Sequence, residues 1–432
     1  MASPVNPPRG MRDFLPADKA RRERVLGVIR AGYRAHGFDE IETPVMEESS
    51  RLHAGLGGDN EKLAFGVLKR GLTPEQLQGA TEALDLADLG LRFDLTVPLA
   101  RFYASHRAEL PTVFRAVQIA PVWRAERPQK GRYRQFVQCD IDIIGEPGQQ
   151  AEAELLVATL ATVDELGLEG ATIRVNDRRL LTGMLAGFGF AADEFDAVLI
   201  TVDKLDKIAE AGVVAELRER GATASAVDAL EAFLARPEVG TDLPFGESAI
   251  RAALPEGADD AVVAGLVGIG DAVAAARAVE GVLPDLLRFD PFLVRGMGYY
   301  TGPIFELAHP SVPYSLGGGG RYDGMIGRFL GSDVPATGFS LGFERLVDLV
   351  GEAAVEADAS VALVHDAEVP LPSLLRLKAQ LVAAGSRVRL VPRQKNLRTL
   401  FDALTADGFR RVAFVGAATQ TVSDLEFKEL GN

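Results

Sequence analysis

Between residues 135 and 144 the side chains fall into two alternating sets. Phe136, Gln138, Asp140 and Asp142 point one way, and Val137, Cys139, Ile141 and Ile143 the other. A period of two predicts a strand with one packed apolar face and one polar face held in register. That polar row faces either bulk water or a site. Residues 91–101, LRFDLTVPLAR, repeat the logic: Arg92, Asp94 and Thr96 alternate with Phe93, Leu95 and Val97 until Pro98 ends the predicted strand. Elsewhere a period near 3.6 takes over. It predicts a helix over 17–35, with Val25, Leu26, Ile29 and Tyr33 on one face and Gly37 as its stop, and a second over 151–166. Strands are expected through Ile41, ahead of Pro44, and over TIRVND at 172–177.

From about 178 to 282 the chain is alanine-rich and charged, without polar residues at strand spacing, which predicts a mostly helical insertion. Glycine-rich, strand-like sequence returns in LVRGMGYYTGPIFEL (293–307), GGGGRYDGMI (317–326) and ATGFSLGFERLVDLV (336–350). The acidic run 351–359 reads as a linker. Beyond it, strand-like VALVHD, SRVRLVP, RRVAFVG and SDLEFKEL alternate with helical LPSLLRLKAQLVAAG and NLRTLFDALTADG. That alternation predicts a small α/β domain.

Composition narrows the field. A chain of 432 residues, 47% hydrophobic and 25% charged, allows two or three ordinary folded domains. No uninterrupted apolar run reaches ~18 residues and the start, MASPVNPPRGMRDFLP, has no apolar signal core, so a cytoplasmic protein without membrane spans is expected. One cysteine excludes an internal disulfide, and with five scattered histidines it leaves no zinc-ligand spacing. A net charge of -15 argues against a protein that coats nucleic acid non-specifically. The tail differs: from Asp358 onward ten Lys/Arg stand against eight Asp/Glu.

The chemistry concentrates around the strands. Residues 124–134 hold Arg124, Arg127, Lys130, Arg132 and Arg134. Arg124, Arg132, Arg295 and Arg345 lie where an anionic ligand could bind, since guanidinium presents a fixed fork of donors to carboxylate and phosphate oxygens. The alternative for each is a surface salt bridge. Asp94, Thr96, Gln138 and Asp142 form rows suited to an ammonium or N–H donor, or else a solvated sheet edge. Phe136 among them favours a flat ligand that stacks. Glycines 317–320 lack the Gly-Lys-Ser/Thr of a phosphate loop and read as close backbone approach. Cys139 reads as a small core residue. Tyr299 and Tyr300 are either strand packing or hydroxyls aimed into a pocket.

Taken together, RGMRDFLP (9–16), Pro44, LRFDLTVPLAR, RAERPQKGRYRQFVQCDID, LVRGMGYYTGPIFE, GGGGRYDGM and GFSLGFERL resemble the histidyl-tRNA synthetase family of class II aminoacyl-tRNA synthetases. VNDRRLL and VDKLDK are similar to that family too, so the resemblance spans nearly the whole chain. The Asp-Leu-Thr and Gln-Cys-Asp-Ile-Asp variants resemble its eukaryotic-type branch. The resemblance implies an α+β fold, an antiparallel catalytic sheet with flanking helices, interrupted by a helical insertion and followed by a small α/β domain. The expected divisions are 1–177 and 286–350 for the catalytic parts, 178–285 for the insertion, 351–359 for the linker and 360–432 for a short anticodon-binding-like domain.

The resemblance also implies roles. Asp94, Thr96 and Gln138 would hold the α-amino group of histidine. Asp142 and Tyr300, with Tyr299 nearby, would read its imidazole. Arg124 and Arg295 would contact the α-phosphate and the attacking carboxylate as the catalytic pair. Glu126 and Arg132 would assist with ATP, Phe136 would stack on adenine, and Arg345 would hold the γ-phosphate, with Mg2+ bridging the phosphates. Partners would be L-histidine, ATP, tRNA(His) and a second copy of the chain. Gly298 stands where the family usually has aspartate, and the tail, ending LEFKELGN, is expected to be without the family's last helix. The main alternative is a histidine-binding regulatory subunit of ATP phosphoribosyltransferase, whose members tend to lose the ATP-handling arginines and the tail domain. A third is an adenylating ligase for another acceptor.

Overall fold

The computed structural model describes residues 5–53, 63–129, 131–279, 286–295, 299–350 and 360–430. Lys130, Gly298 and the expected linker 351–359 lie outside the described residues. The chain divides into two compact units, the described parts of 1–12 and 27–350, and those of 13–26 and 351–432.

In the first unit nine strands form one sheet, in the order β1 (Asp39–Glu40), β5 (Phe114–Trp123), β6 (Gln135–Ile144), β12 (Ala336–Gly342), β11 (Val312–Arg321), β10 (Pro303–His309), β7 (Thr172–Asp177), β9 (Leu287–Phe289) and β8 (Leu243–Pro244). From β5 across to β7 every neighbouring pair is antiparallel. A separate small sheet orders β2 (Met46–Glu48), β4 (Ala87–Leu91) and β3 (Phe65–Leu68). The mixed α+β architecture with a large antiparallel sheet matches the expected fold class.

The period-two strand predicted from Phe136 onward is β6, in the middle of the site half of the sheet. Its apolar residues Cys139, Ile141 and Ile143 are fully buried. The helix Gln150–Glu165 packs against β6 and β12. Arg321 on β11 reaches Glu152 of that helix with two bonds of 2.6 and 2.9 Å, both side chains buried. With this face covered, the other face of β6 is left for polar work.

The stretch 91–101 is not the strand its alternation predicts. Strand β4 ends at Leu91, and a helix runs from Thr96 to His106. Asp94 Oδ1 accepts a hydrogen bond from the Val97 amide at 3.3 Å, as a residue starting a helix does. Pro98 falls in the first turn, where its missing N–H costs nothing, so it belongs to the helix start rather than the strand end. Nor does Arg92 share a polar face with Asp94 and Thr96. It is buried, donating to the carbonyl oxygens of Thr43, Pro44 and Pro121 at 2.8, 3.2 and 3.0 Å.

The predicted first helix spans Pro16–Ala35, with Gly37 beyond it in the left-handed region at φ +84°. Residues 178–279 are mostly helical, and β8 adds a short edge strand to the main sheet. The helix Asp260–Val279 is long and apolar enough by composition to cross a membrane. Here it packs against Gln150–Glu165, with Val263, Leu266, Ile269 and Val273 buried and Arg277 paired to Asp164.

In the second unit β13 (Ser360–His365) lies between β14 (Arg387–Pro392) and β15 (Arg411–Val415), parallel to both, and β16 (Phe427–Glu429) closes the edge antiparallel. Val361 and Leu363 pack with Leu374, Leu377 and Leu381 of the helix Leu371–Ala383. Ala362 and Val364 pack on the opposite face with Leu400 and Leu404 of Leu397–Ala406. Burial on both faces is why this strand reads as a continuous apolar run.

Candidate active site

The uncovered face of β6, β12, β11 and β10 floors a cleft of about 510 Å³. Strand register aligns the floor: Asp142 sits opposite Gly338, which sits opposite Gly320, while Asp140, Ser340, Gly318 and Glu306 form the next row. The glycines keep the floor low. A Cβ on Gly338 would lie 1.9 Å from Asp142 Oδ1, one on Gly318 2.6 Å from the Arg295 guanidinium carbon, and one on Gly320 2.9 Å from the Tyr300 ring. The glycine run therefore serves close approach, of functional side chains as much as of backbone. Gly338→Ala is expected to displace Asp142 and weaken binding of the cleft's ligand at least tenfold. Unchanged binding would show that Asp142 tolerates the shift.

Among the acids that line the cleft are three buried aspartates: Asp94, Asp140 and Asp142. Burial raises the Asp94 carboxyl to about 6, against the opposing pull of the Val97 amide and the Arg124 charge. Its Oδ2 has no hydrogen-bond partner among the described residues. Burial raises Asp142 to about 7, partly offset by the Tyr322 hydroxyl, which donates to its Oδ1 at 2.5 Å. Asp140 is held well above the usual carboxylate range by burial and by the neighbouring Asp142 charge. A cleft that makes three carboxylates costly to ionise is primed for a cation or for N–H donors.

The cations take different stations. Of the five in 124–134, Arg124 and Arg132 line the cleft. Arg124 donates to the Phe93 carbonyl at 3.0 Å, and its guanidinium carbon lies 4.9 Å from the centre of the Phe136 ring. Arg132 pairs with Glu126. Arg134 instead braces the loop by donating to the Glu126 carbonyl at 2.9 Å, and Arg127 is exposed. Arg295 donates to Glu306 at 2.8 Å, and Arg345 donates to the Ser315 carbonyl while lying 5.2 Å from the Tyr314 ring centre. Tyr299 and Tyr300 lie with ring centroids 4.7 Å apart and planes tilted by 53°, and burial raises both hydroxyls.

All twelve residues singled out from the sequence thus border this one cleft: Asp94, Thr96, Gln138 and Asp142; Arg124, Arg132, Arg295 and Arg345; Glu126, Phe136, Tyr299 and Tyr300. Sequence reasoning gave no role to Asp140, Ser340, Glu306 or Tyr322, which border it as well. Asp140 was legible, since it shares the period-two face with Gln138 and Asp142. Ser340 and Tyr322 reach the site through strand pairing and a long-range hydrogen bond, which leave no local trace. Among the described residues no group of three His, Cys, Asp or Glu is arranged to hold a metal ion.

The family model described as histidyl-tRNA synthetase matches residues 10–346. A histidine–tRNA ligase of Leifsonia xyli subsp. xyli is 60% identical over 438 aligned positions, covering 100% of this chain and 99% of the relative. A probable histidine–tRNA ligase of Tropheryma whipplei is 43% identical over 419, covering 94% of each chain. Among solved structures, histidyl-tRNA synthetase from Nostoc sp. PCC 7120 aligns with a TM-score of 0.75 at 26% identity, covering 100% of this chain and 97% of that one. A Bacillus halodurans protein described as an ATP phosphoribosyltransferase regulatory subunit/histidyl-tRNA synthetase also gives 0.75, but at 20% identity, a likeness of fold alone. The match runs through the motifs that build the cleft and covers 99% of the Leifsonia relative: this chain belongs to the histidyl-tRNA synthetase family.

Proposed function

We infer that the protein is a histidine–tRNA ligase. It activates L-histidine with ATP to histidyl-adenylate and pyrophosphate, then transfers the histidyl group to tRNA(His). The observation that carries the residue assignment is the meeting, in one cleft, of buried carboxylates beside arginines that present donors. The acids suit the ammonium and imidazole N–H of histidine, and the arginines suit the triphosphate.

Asp94, Thr96 and Gln138 hold the α-ammonium. A neutral imidazole has one N–H donor and one acceptor nitrogen, so the Asp142 carboxylate and the Tyr300 hydroxyl satisfy both, with Tyr299 beside them. A competing amino acid that lacks either ring nitrogen leaves a buried group unmet, which discriminates strongly. Phe136 stacks on adenine, Arg132 and Glu126 contact ATP, and Arg345 takes the γ-phosphate. The histidine carboxylate oxygen attacks the α-phosphorus in line, and the bond to the pyrophosphate oxygen breaks. Arg124 and Arg295 stabilise the charge that builds on the α-phosphate. A terminal ribose hydroxyl of tRNA then attacks the acyl carbon and AMP leaves. No side-chain nucleophile takes part.

Glu126 and Glu306, the carboxylates beside the arginines, would help hold Mg2+ brought with ATP, and the ion would supply charge neutralisation on the phosphates. A homodimer, a cytoplasmic location and anticodon contacts by the second unit complete the reading. They rest on the family resemblance. The regulatory-subunit alternative is not favoured, because a full-length relative at 60% identity carries the ligase name and all four arginines border the cleft.

Histidine-dependent ATP–pyrophosphate exchange, followed by charging of tRNA(His), tests the reading. Exchange with histidine alone among the amino acids, and subsequent charging, is expected. Histidine binding without exchange would point to a regulator, and exchange without charging to a ligase for another acceptor.

A further inference from the structure

The polar face of β6 contains an acid with no part in the scheme above. We propose that Asp140 is a positioning residue that, through Ser340, turns the Gln138 amide so that its oxygen faces the α-ammonium of histidine. This rests on the reading of Asp94, Thr96 and Gln138 as amino-group ligands, and deepens it.

Asp140 and Ser340 face each other directly across β6 and β12, and Gln138 is two residues along on the same face. Gln138 Nε2 donates to Ser340 Oγ at 3.0 Å and lies 3.4 and 3.5 Å from the two Asp140 oxygens. Directly across the strand pair from Asp140, the Ser340 hydroxyl is placed to donate to the carboxylate and favours its ionised form. A hydroxyl has one proton; once that proton points to the carboxylate, only its lone pairs remain for the amide. In its ionised form, which the Ser340 hydroxyl favours against the cost of burial, the Asp140 carboxyl offers acceptors alone. The pair therefore captures the NH2 end of Gln138, and Gln138 Oε1 is left buried without a hydrogen-bond partner among the described residues. Asp94 Oδ2 is in the same state, and both residues border the cleft.

Two buried oxygens without donors in one cleft are what an ammonium, with three N–H donors and no acceptor, can satisfy. The shape of a glutamine amide does not choose between its ends. Flipped, Gln138 would set N–H against the N–H of the ligand. The Asp140–Ser340 pair supplies the polarity that prevents this.

The test is steady-state ATP–pyrophosphate exchange on Asp140→Asn, which keeps the shape but has an amide free to flip. Its histidine KM should rise roughly 10–100-fold, the loss of one hydrogen bond to a charged group, with the ATP KM within about twofold of wild type. Ser340→Ala should move the same way, without touching the acid. In a Gln138→Ala background Asp140→Asn should add nothing, as expected for two groups acting as one unit. Affinity for 3-(imidazol-4-yl)propionate, which lacks the amino group, should be unchanged. Equal loss of that analogue or of ATP, or an additive effect in the Gln138→Ala background, would overturn the proposal and assign Asp140 to the shape of the site. If Gln138→Ala alone leaves the histidine KM unmoved, the amino-group reading itself fails and takes the proposal with it.

Discussion

Arg295→Ala should lower the maximal rate of histidine-dependent pyrophosphate exchange by roughly 10²–10³-fold while histidine affinity changes by less than about tenfold. Phosphate charge increases at the α-phosphorus only as the carboxylate attacks, so a guanidinium placed there acts mainly on the transition state. Arg295 is held for that task. Gly318 leaves room beneath it, since a Cβ there would meet the guanidinium carbon at 2.6 Å, and Glu306 fixes one nitrogen at 2.8 Å. Surface arginines lost to alanine do not behave this way, because their pairs are solvated and worth ~0–1 kcal/mol. An exchange rate near wild type would remove Arg295 from the catalytic pair.

Asp142→Asn should do two opposite things. Histidine KM rises roughly 10–100-fold, because the ring N–H loses its charged acceptor. The ligand-free protein, in contrast, gains stability above neutral pH. Burial has lifted the Asp142 carboxyl from 3.8 to about 7, so the folded state holds its proton where the unfolded chain has released it. Native stability therefore falls as pH rises from about 4 to about 7, and the cost is fully present above that window. Asparagine never ionises and escapes it. The variant should be more stable than wild type by ~2–4 kcal/mol at pH 8, converging with it near pH 4. Urea denaturation at both pH values reads this directly. A pH-independent difference would mean that Asp142 is not the group carrying the burial cost. Such a trade, stability given up for a charged acceptor, is expected at a selective binding site.

Much of this was legible in the residues. The two-residue period of β6 located the strand and its two faces, and the apolar face is buried as a strand core requires. The helices of the second unit and the strand Thr172–Asp177 were equally plain, since propensity and burial agree there. Residues 91–101 misled because a short apolar–polar alternation also fits a buried turn entering a helix. Asp94 reaches the cleft from that turn, not from a strand face. The floor was half visible. Tetraglycine signalled close approach, but Gly338, where added bulk would collide with Asp142, gave no signal without knowledge of which strand lies beside β6. The roles of Ser340 and Tyr322 were hidden for the same reason: pairing between distant segments decides them.

The most direct measurement is a crystal structure of the protein with a non-hydrolysable histidyl-adenylate analogue. The imidazole is expected between Asp142 and Tyr300, the ammonium at Asp94 and Gln138, the phosphate mimic between Arg124 and Arg295, and adenine on Phe136. An analogue seated with its ring on the arginine side, or outside the cleft over β6 and β12, would contradict this arrangement.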